Sequence, residues 1–284
     1  MRKLVVLLAS LALGLALLTA CTPDSPSKTL RAHSARTHAQ AAEKKHRITE
    51  QPALHWQRAA APVQLPILMY HNIAKGPNSL FVPTTEFAQQ MAWIHRHHFL
   101  ALTPEQAYRV LATNEIPGRR LVLITLDDGY RNNWINARPI LTRYHLHATI
   151  FMIGNRIGKP THLTTAQMRL LVHDGIAIES HTIHHLDLST LTPAQQHLEI
   201  FQSKALFNHL LRQNTTMISY PSGRYSNETL ALTKQAGYRL AVTTHPGLAD
   251  KAQGLLALHR ERISPGLPLS AFAAILNASV SAAK

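Results

Sequence analysis

LVLITLDDGY, residues 121–130, runs six apolar or β-branched residues into two adjacent carboxylates and a glycine. The run suits a strand buried on both faces. Asp127 and Asp128 then stand side by side at its end, where like charges repel and a low-dielectric core penalises both. Either this is a surface turn, or a positive charge is expected there.

Outward from this stretch the pattern repeats. Apolar runs of strand length also occupy 66–70, 148–153, 176–180, 217–220 and 239–243, with segments of helical period between them. Three helices open with a Thr-x-x-Gln capping box, at Thr103–Gln106, Thr164–Gln167 and Thr192–Gln195. Pro104 and Pro193 directly follow two of these caps, where a missing N–H costs nothing. In segment 193–212 the period sets Leu198, Phe201, Ala205 and Leu210 near one face. Such alternation predicts an α/β fold with a mainly parallel sheet, either a small barrel or an open doubly wound sheet. No strand is followed by G-x-G-x-x-G, which favours the barrel. Barrel chemistry sits at the C-terminal strand ends, where the Asp pair falls.

Three further strand ends look alike. IAIESHTIHHLDL (176–188) ends its apolar run in His181, then His184 and His185. MISYPSGRY (217–225) ends in a Tyr-Pro-Ser-Gly turn, and LPILMYHNI (65–73) in Tyr70-His71-Asn72. On one helical turn or a tight loop, His181 and His185 can face a single point about 2.0–2.1 Å away, the Zn–N distance. Asp128 makes a third ligand, and a His-His-Asp set leaves positions open for water and substrate. A divalent cation binds one carboxylate and attracts its neighbour, so both stay ionised. Asp127 is then left as a free base.

TLDDGY at 125–130, SHTIHH at 180–185 and YPSG at 220–223 resemble the first three motifs of the NodB-homology polysaccharide deacetylases, carbohydrate esterase family 4. The likeness covers roughly 63–275. MYHNI at 69–73 resembles the branch that deacetylates poly-N-acetylglucosamine in biofilm matrices, where the first strand supplies a catalytic histidine. The resemblance implies a distorted (β/α)7 TIM-like barrel with mainly parallel strands, one divalent metal ion, and hydrolysis of N-acetyl groups on a glycan. Asp127 matches the general base, His71 the general acid, and Asp128, His181 and His185 the metal ligands. Tyr220, Ser222 and Gly223 match the substrate and oxyanion turn, with the Ser222 N–H where the family helps bind the oxyanion. Zn2+ suits the donor set; Co2+, Ni2+ and Fe2+ also fit.

Departures are visible too. Leu126 stands where the family usually has Phe, and Ser222 replaces a common Tyr. The arginine that orients the base in many members has no counterpart at Ser219 or Tyr220, and Arg224 comes later. For the fourth motif's Asp and Trp, the candidates are Asp174 and Trp134. His184 reads as a bystander or supporting group and His245 as a possible cleft residue. His95, His97 and His98 read as a solvated face, and Arg262 as a rim or structural residue.

The N-terminus, MRKLVVLLASLALGLALLTAC, has a basic start and an apolar run, and ends in Leu-Thr-Ala-Cys. It resembles a bacterial lipoprotein signal, with a short membrane anchor or an ordinary cleaved signal as the alternatives. A lipidated Cys21 would tether the chain to a membrane without spanning it. Thr22 after the cysteine is not Asp, which by resemblance to Gram-negative lipoproteins points to the periplasmic face of the outer membrane. Cys21 is the only cysteine, so no disulfide framework exists. The expected organisation is a signal at 1–20, a flexible basic tether at 21–62 and a catalytic domain at 63–284. Net charge is +14, and the basic tether reads as a solvated spacer, or as one drawn to anionic lipid or polymer. An exported lipoprotein does not meet nucleic acid. The expected partner is an N-acetylglucosamine glycan, foremost poly-β-1,6-N-acetylglucosamine, with exopolysaccharide export proteins nearby. Peptidoglycan or chitin-oligomer deacetylation, or glycan binding by an impaired site, are the other readings.

Overall fold

The computed structural model describes residues 54–278. The signal, Cys21 and the tether up to residue 53 lie outside them. Each apolar run forms a strand: β1 (Ile67–Tyr70), β2 (Leu121–Leu126), β3 (Ala148–Met152), β4 (Ile176–Ser180), β5 (Met217–Ser219) and β6 (Leu240–Val242). A seventh, β7 (Glu261–Arg262), carries no apolar run at all. The strands lie in the order β6-β5-β4-β3-β2-β1-β7, every neighbouring pair parallel.

The sheet curls into a half-barrel whose seam lies between β6 and β7. The segment leading into β7 leans on both edges. Leu258 bridges Val242 and its carbonyl accepts from Thr243 N–H at 2.9 Å, while Glu261 and Arg262 pair with Leu68 and Met69 of β1. This is the expected distorted (β/α)7 class. The strand faces divide between two cores. Leu68, Ile124, Ile150 and Ile178 pack outward against helix residues Phe87, Met91, Leu171 and Phe207. Ile67, Leu123, Phe151, Met217 and Val242 meet on the other face, which the curl encloses.

The helices are α1 (Thr84–Arg96), α2 (Pro104–Thr113), α3 (Arg138–Arg143), α4 (Thr165–His173), α5 (Pro193–Leu211), α6 (Asn227–Gln235) and α7 (Leu269–Asn277). All three expected capping boxes form, at the starts of α2, α4 and α5. Among the described residues no helix is long and apolar enough to cross a membrane.

One expectation is corrected, and α5 buries a face other than its apolar one. On α5, Leu198 is 50% exposed and Ala205 is exposed. The buried face is instead Gln196, Glu199, Ile200, Ser203 and Phe207. This helix covers a loop whose backbone N–H groups need acceptors, so polar residues go inward. Residues 54–62, expected in the tether, pack onto the domain. Gln57–Arg58 pair antiparallel with Glu115–Ile116, and Asn114 donates to Ala59 O and Ala61 O while accepting from Val63 N–H. The folded unit therefore starts at Leu54, not at residue 63.

Candidate active site

Three of the chain's motif turns bend through the left-handed region. Asp128 (φ 70°) and Gly129 (φ 74°) follow β2; Thr182 (φ 62°) and His185 (φ 59°) follow β4; Ser222 (φ 54°) and Gly223 (φ 71°) follow β5. A Cβ at Gly129 would lie 2.0 Å from Met152 Sδ, and one at Gly223 2.4 Å from Thr244 N, so both positions require glycine. These sharp turns lift functional groups off the strand ends without extending the strands.

Asp128, His181 and His185 converge, their ligand atoms all within 4.8 Å of one another. His181 Nε2 is 3.4 Å and His185 Nε2 3.6 Å from Asp128 Oδ1. Donors about 2.0–2.2 Å from a tetrahedral ion lie roughly 3.3–3.6 Å apart, so the set fits a small divalent cation. His181 Nδ1 lies 2.7 Å from Ser219 O, which can only accept. Nδ1 therefore carries the hydrogen and Nε2 keeps its lone pair toward Asp128. Burial works against the Asp128 charge, but where His181 Nε2 carries a proton in place of a cation its bond to Asp128 outweighs burial and holds the carboxyl below its ordinary range.

Asp127 is 2% exposed and faces a different partner. Arg260, with no exposure at all, grips it with two bonds, Nη1 to Oδ1 at 2.8 Å and Nη2 to Oδ2 at 2.7 Å. The guanidinium's remaining donors reach Thr125 Oγ1 (3.1 Å), Ser219 Oγ (3.0 Å) and Thr243 O (2.8 Å). All five N–H groups of a buried arginine are thus satisfied. Ser219 Oγ donates in turn to Asp127 Oδ2 at 3.3 Å. Burial alone would raise the Asp127 carboxyl; the Arg260 charge and hydrogen bonds pull it far below the ordinary range. His71 Nε2 stands 4.0 Å from Asp127 Oδ2. Burial lowers the His71 pKa, against the pull of Asp127 and Asp128.

At the third turn, Gly223 and Arg224 give their N–H groups to Tyr220 O and Pro221 O. Ser222 N–H is left as a donor with no partner among the described residues. The Tyr220 side chain does not join the site: it is fully buried, with its hydroxyl on Leu256 O at 3.0 Å. Gly223 contributes its backbone shape and no free donor. Asp174 and Trp134 are likewise elsewhere, on either side of Arg138, whose Nε is 2.5 Å from Asp174 Oδ2 and whose guanidinium lies 4.3 Å over the indole. His245 is exposed at the rim and stacks on His259 at 5.5 Å. His95, His97 and His98 are exposed, as expected.

Two residues near the ligands escaped sequence reasoning besides Arg260. Tyr130 stacks on His162 at 5.1 Å, and burial, with the Asp128 charge, pushes its hydroxyl up to about 12. The signal for Arg260 was faint: Leu258, Arg260 and Arg262 alternate at strand period, and a buried Asp needed a cation.

A family model described as polysaccharide deacetylase matches residues 114–241. His71 and Arg260, which reach Asp127 from either side of that stretch, fall outside the match. YxkH of Bacillus subtilis (strain 168), whose name assigns it to the polysaccharide deacetylases, is 50% identical over 221 residues, spanning 78% of this chain and 79% of that protein. Streptococcus pyogenes deacetylase PplD, solved in complex with acetate, superposes with a TM-score of 0.74 at 36% identity, covering 76% of this chain and 99% of that one. The poly-beta-1,6-N-acetyl-D-glucosamine N-deacetylase of Staphylococcus epidermidis (strain ATCC 35984) is 27% identical over 176 residues, 57% of this chain and 61% of that protein.

Proposed function

The chain belongs to the polysaccharide deacetylase family, and from that premise we propose that it is a metal-dependent enzyme removing N-acetyl groups from poly-β-1,6-N-acetylglucosamine. The observation that carries this reading is the meeting of Asp127, His71 and the His-His-Asp cluster at one rim. The polymer is chosen because a first-strand histidine reaches the base, as the MYHNI resemblance implies, and because of the likeness to the staphylococcal enzyme.

Asp128, His181 and His185 would hold a divalent ion, which when bound would polarise the acetyl carbonyl and acidify water. Asp127 takes the proton of the attacking water. Arg260 fixes the direction of that carboxylate and keeps it ionised, at some cost in basicity. Such water would ask less of its base, so a well-oriented weak base would suffice. Ser222 N–H supplies a backbone donor for the developing oxyanion; one such donor is typically worth about 2.7–4 kcal/mol. His71 protonates the leaving amine, so that C–N cleavage does not expel an amide anion. The proton collected by Asp127 then resets His71 across the gap of 4.0 Å.

Arg260 supplies the cation whose apparent lack in the third motif suggested an impaired glycan binder. The test is acetate release from β-1,6-linked N-acetylglucosamine oligomers, abolished by a chelator and by Asp127→Asn. Binding without acetate release would favour the binder, and equal rates on peptidoglycan would remove the preference for this polymer. In the same reading Cys21 carries a lipid that anchors the enzyme at the periplasmic face of the outer membrane, beside the polymer's export proteins. Metabolic labelling with a fatty-acid analogue, lost in Cys21→Ser, checks the anchor.

A further inference from the structure

Two of the three candidate metal ligands, His181 and His185, sit on residues 181–185, a loop that is poorly held by itself. Thr182 and His185 are both left-handed without being glycine, each at a cost of about 1–2 kcal/mol. Within the loop, only His185 N–H to Thr182 Oγ1 at 3.1 Å braces the turn. Something outside must fix it.

Gly154 and Asn155 N–H groups hold two of the loop's carbonyls, Thr182 O at 3.0 Å and Ile183 O at 2.8 Å; the anchor for its own N–H groups is Glu199 on α5, which is 4% exposed. Its Oε2 accepts from the N–H groups of Ile183 (3.0 Å) and His184 (2.8 Å). Its Oε1 lies 2.6 Å from His184 Nδ1. One carboxylate thus makes three bonds to consecutive residues of the loop. Among the described residues, no Lys or Arg lies within ion-pair distance of Glu199; its one side-chain partner is the His184 ring. The anion is balanced by the loop's own N–H groups, and bonds to a charged acceptor are roughly twice as strong as neutral ones. His184, outside the converging ligand set, has its ring 52% exposed and one nitrogen committed to Glu199.

We propose that Glu199 is a positioning residue for the metal centre: its carboxylate holds loop 181–185 in the strained shape that aims His181 and His185 at Asp128, with His184 as the third clamp point rather than a ligand. The inference rests on the metal-dependent reading above, and its test separates the two. Glu199→Gln keeps size and one acceptor oxygen but sets an NH2 group against loop donors. Zn2+ alone is titrated into wild type, Glu199→Gln and His184→Ala in competition with a chromogenic chelator, at a temperature far below unfolding, and Co2+ substitution reports ligand geometry by visible absorption.

The expected result is Zn2+ binding 10–100-fold weaker in Glu199→Gln, the usual range for losing an outer partner of a metal site, with an altered Co2+ spectrum. His184→Ala should weaken binding three- to tenfold. A purely structural role predicts a lower melting temperature with Zn2+ affinity and Co2+ spectrum unchanged, and that result overturns the proposal. If Glu199→Gln does not fold, His184→Ala decides alone: affinity within twofold of wild type sinks the clamp. If wild type itself binds neither ion, the metal-dependent reading fails and this inference with it.

Discussion

Asp127 and Glu179 are buried carboxylates in the same curled sheet, and their surroundings send them in opposite directions. Asp127, at the end of β2, meets a guanidinium at 2.7 and 2.8 Å and is held far below the ordinary carboxylate range. Glu179, next to last in β4, meets no guanidinium. Its Oε2 accepts from Thr216 N–H (2.8 Å) and Met217 N–H (2.7 Å), and burial pushes it up to about 8 despite these bonds. β4 and β5 share a single register pair, Ile218 with Ser180. Glu179 fills the widening between them, taking N–H groups that a neighbouring strand would otherwise bind. The difference agrees with the proposed role of Asp127 as a base. A base needs a paired charge that keeps it ionised, whereas a sheet patch needs only an acceptor.

Breaking the Asp127 side should have the largest effect. Asp127→Asn is expected to lower acetate release 10²–10⁴-fold, the range for a lost acid–base group, while Zn2+ affinity stays within a few-fold. Steady-state kinetics and a metal titration check both halves. Arg260→Met strips the partner and leaves a buried charge alone. Stability should fall by about 3–5 kcal/mol in urea denaturation, and adding Asp127→Asn to it should recover part of the loss. If the single variant is as stable as wild type, the pair is not what keeps Asp127 ionised.

Glu179 sharpens the comparison through pH. Its folded pKa lies above the unfolded value, so between about pH 5 and 8 the native state binds more protons than the unfolded one. Stability from this group is present at low pH and is lost as pH rises through about 8. The slope is at most about 1.4 kcal/mol per pH unit. Glu179→Gln should flatten that decline, read by urea midpoints across the window; an unchanged profile would refute the assignment. The smallest effect expected is from Ser219→Ala, which removes one neutral hydroxyl between Arg260 and Asp127 and should cost about 1 kcal/mol, with less than a tenfold loss of rate.

Much of this was legible beforehand. Six of the seven strands in the order β6 to β7 announced themselves as apolar runs, and the three Thr-x-x-Gln boxes formed where expected. Asp128, His181 and His185 were recognisable from donor chemistry and spacing, and they do converge. β7 was not, because a strand of two charged residues has no burial pattern to read. The inward face of α5 was not legible for a related reason. Periodicity assumes that buried means apolar, but this helix buries Glu199 and Gln196 against groups needing acceptors and donors. The start of the fold moved to Leu54 because Asn114, more than fifty positions away, holds Ala59 and Ala61.

The sequence alone determined most strand positions, the helix caps and the candidate metal-donor set, since these depend on neighbours within a few residues. Only the tertiary structure decided that Arg260 grips Asp127 across 133 positions, and that Glu199 clamps the histidine loop from another element. Burial patterns are local and can be read along a chain. The pairing of buried charges depends on the path the chain takes around the barrel, and that path is set by the summed packing of every strand.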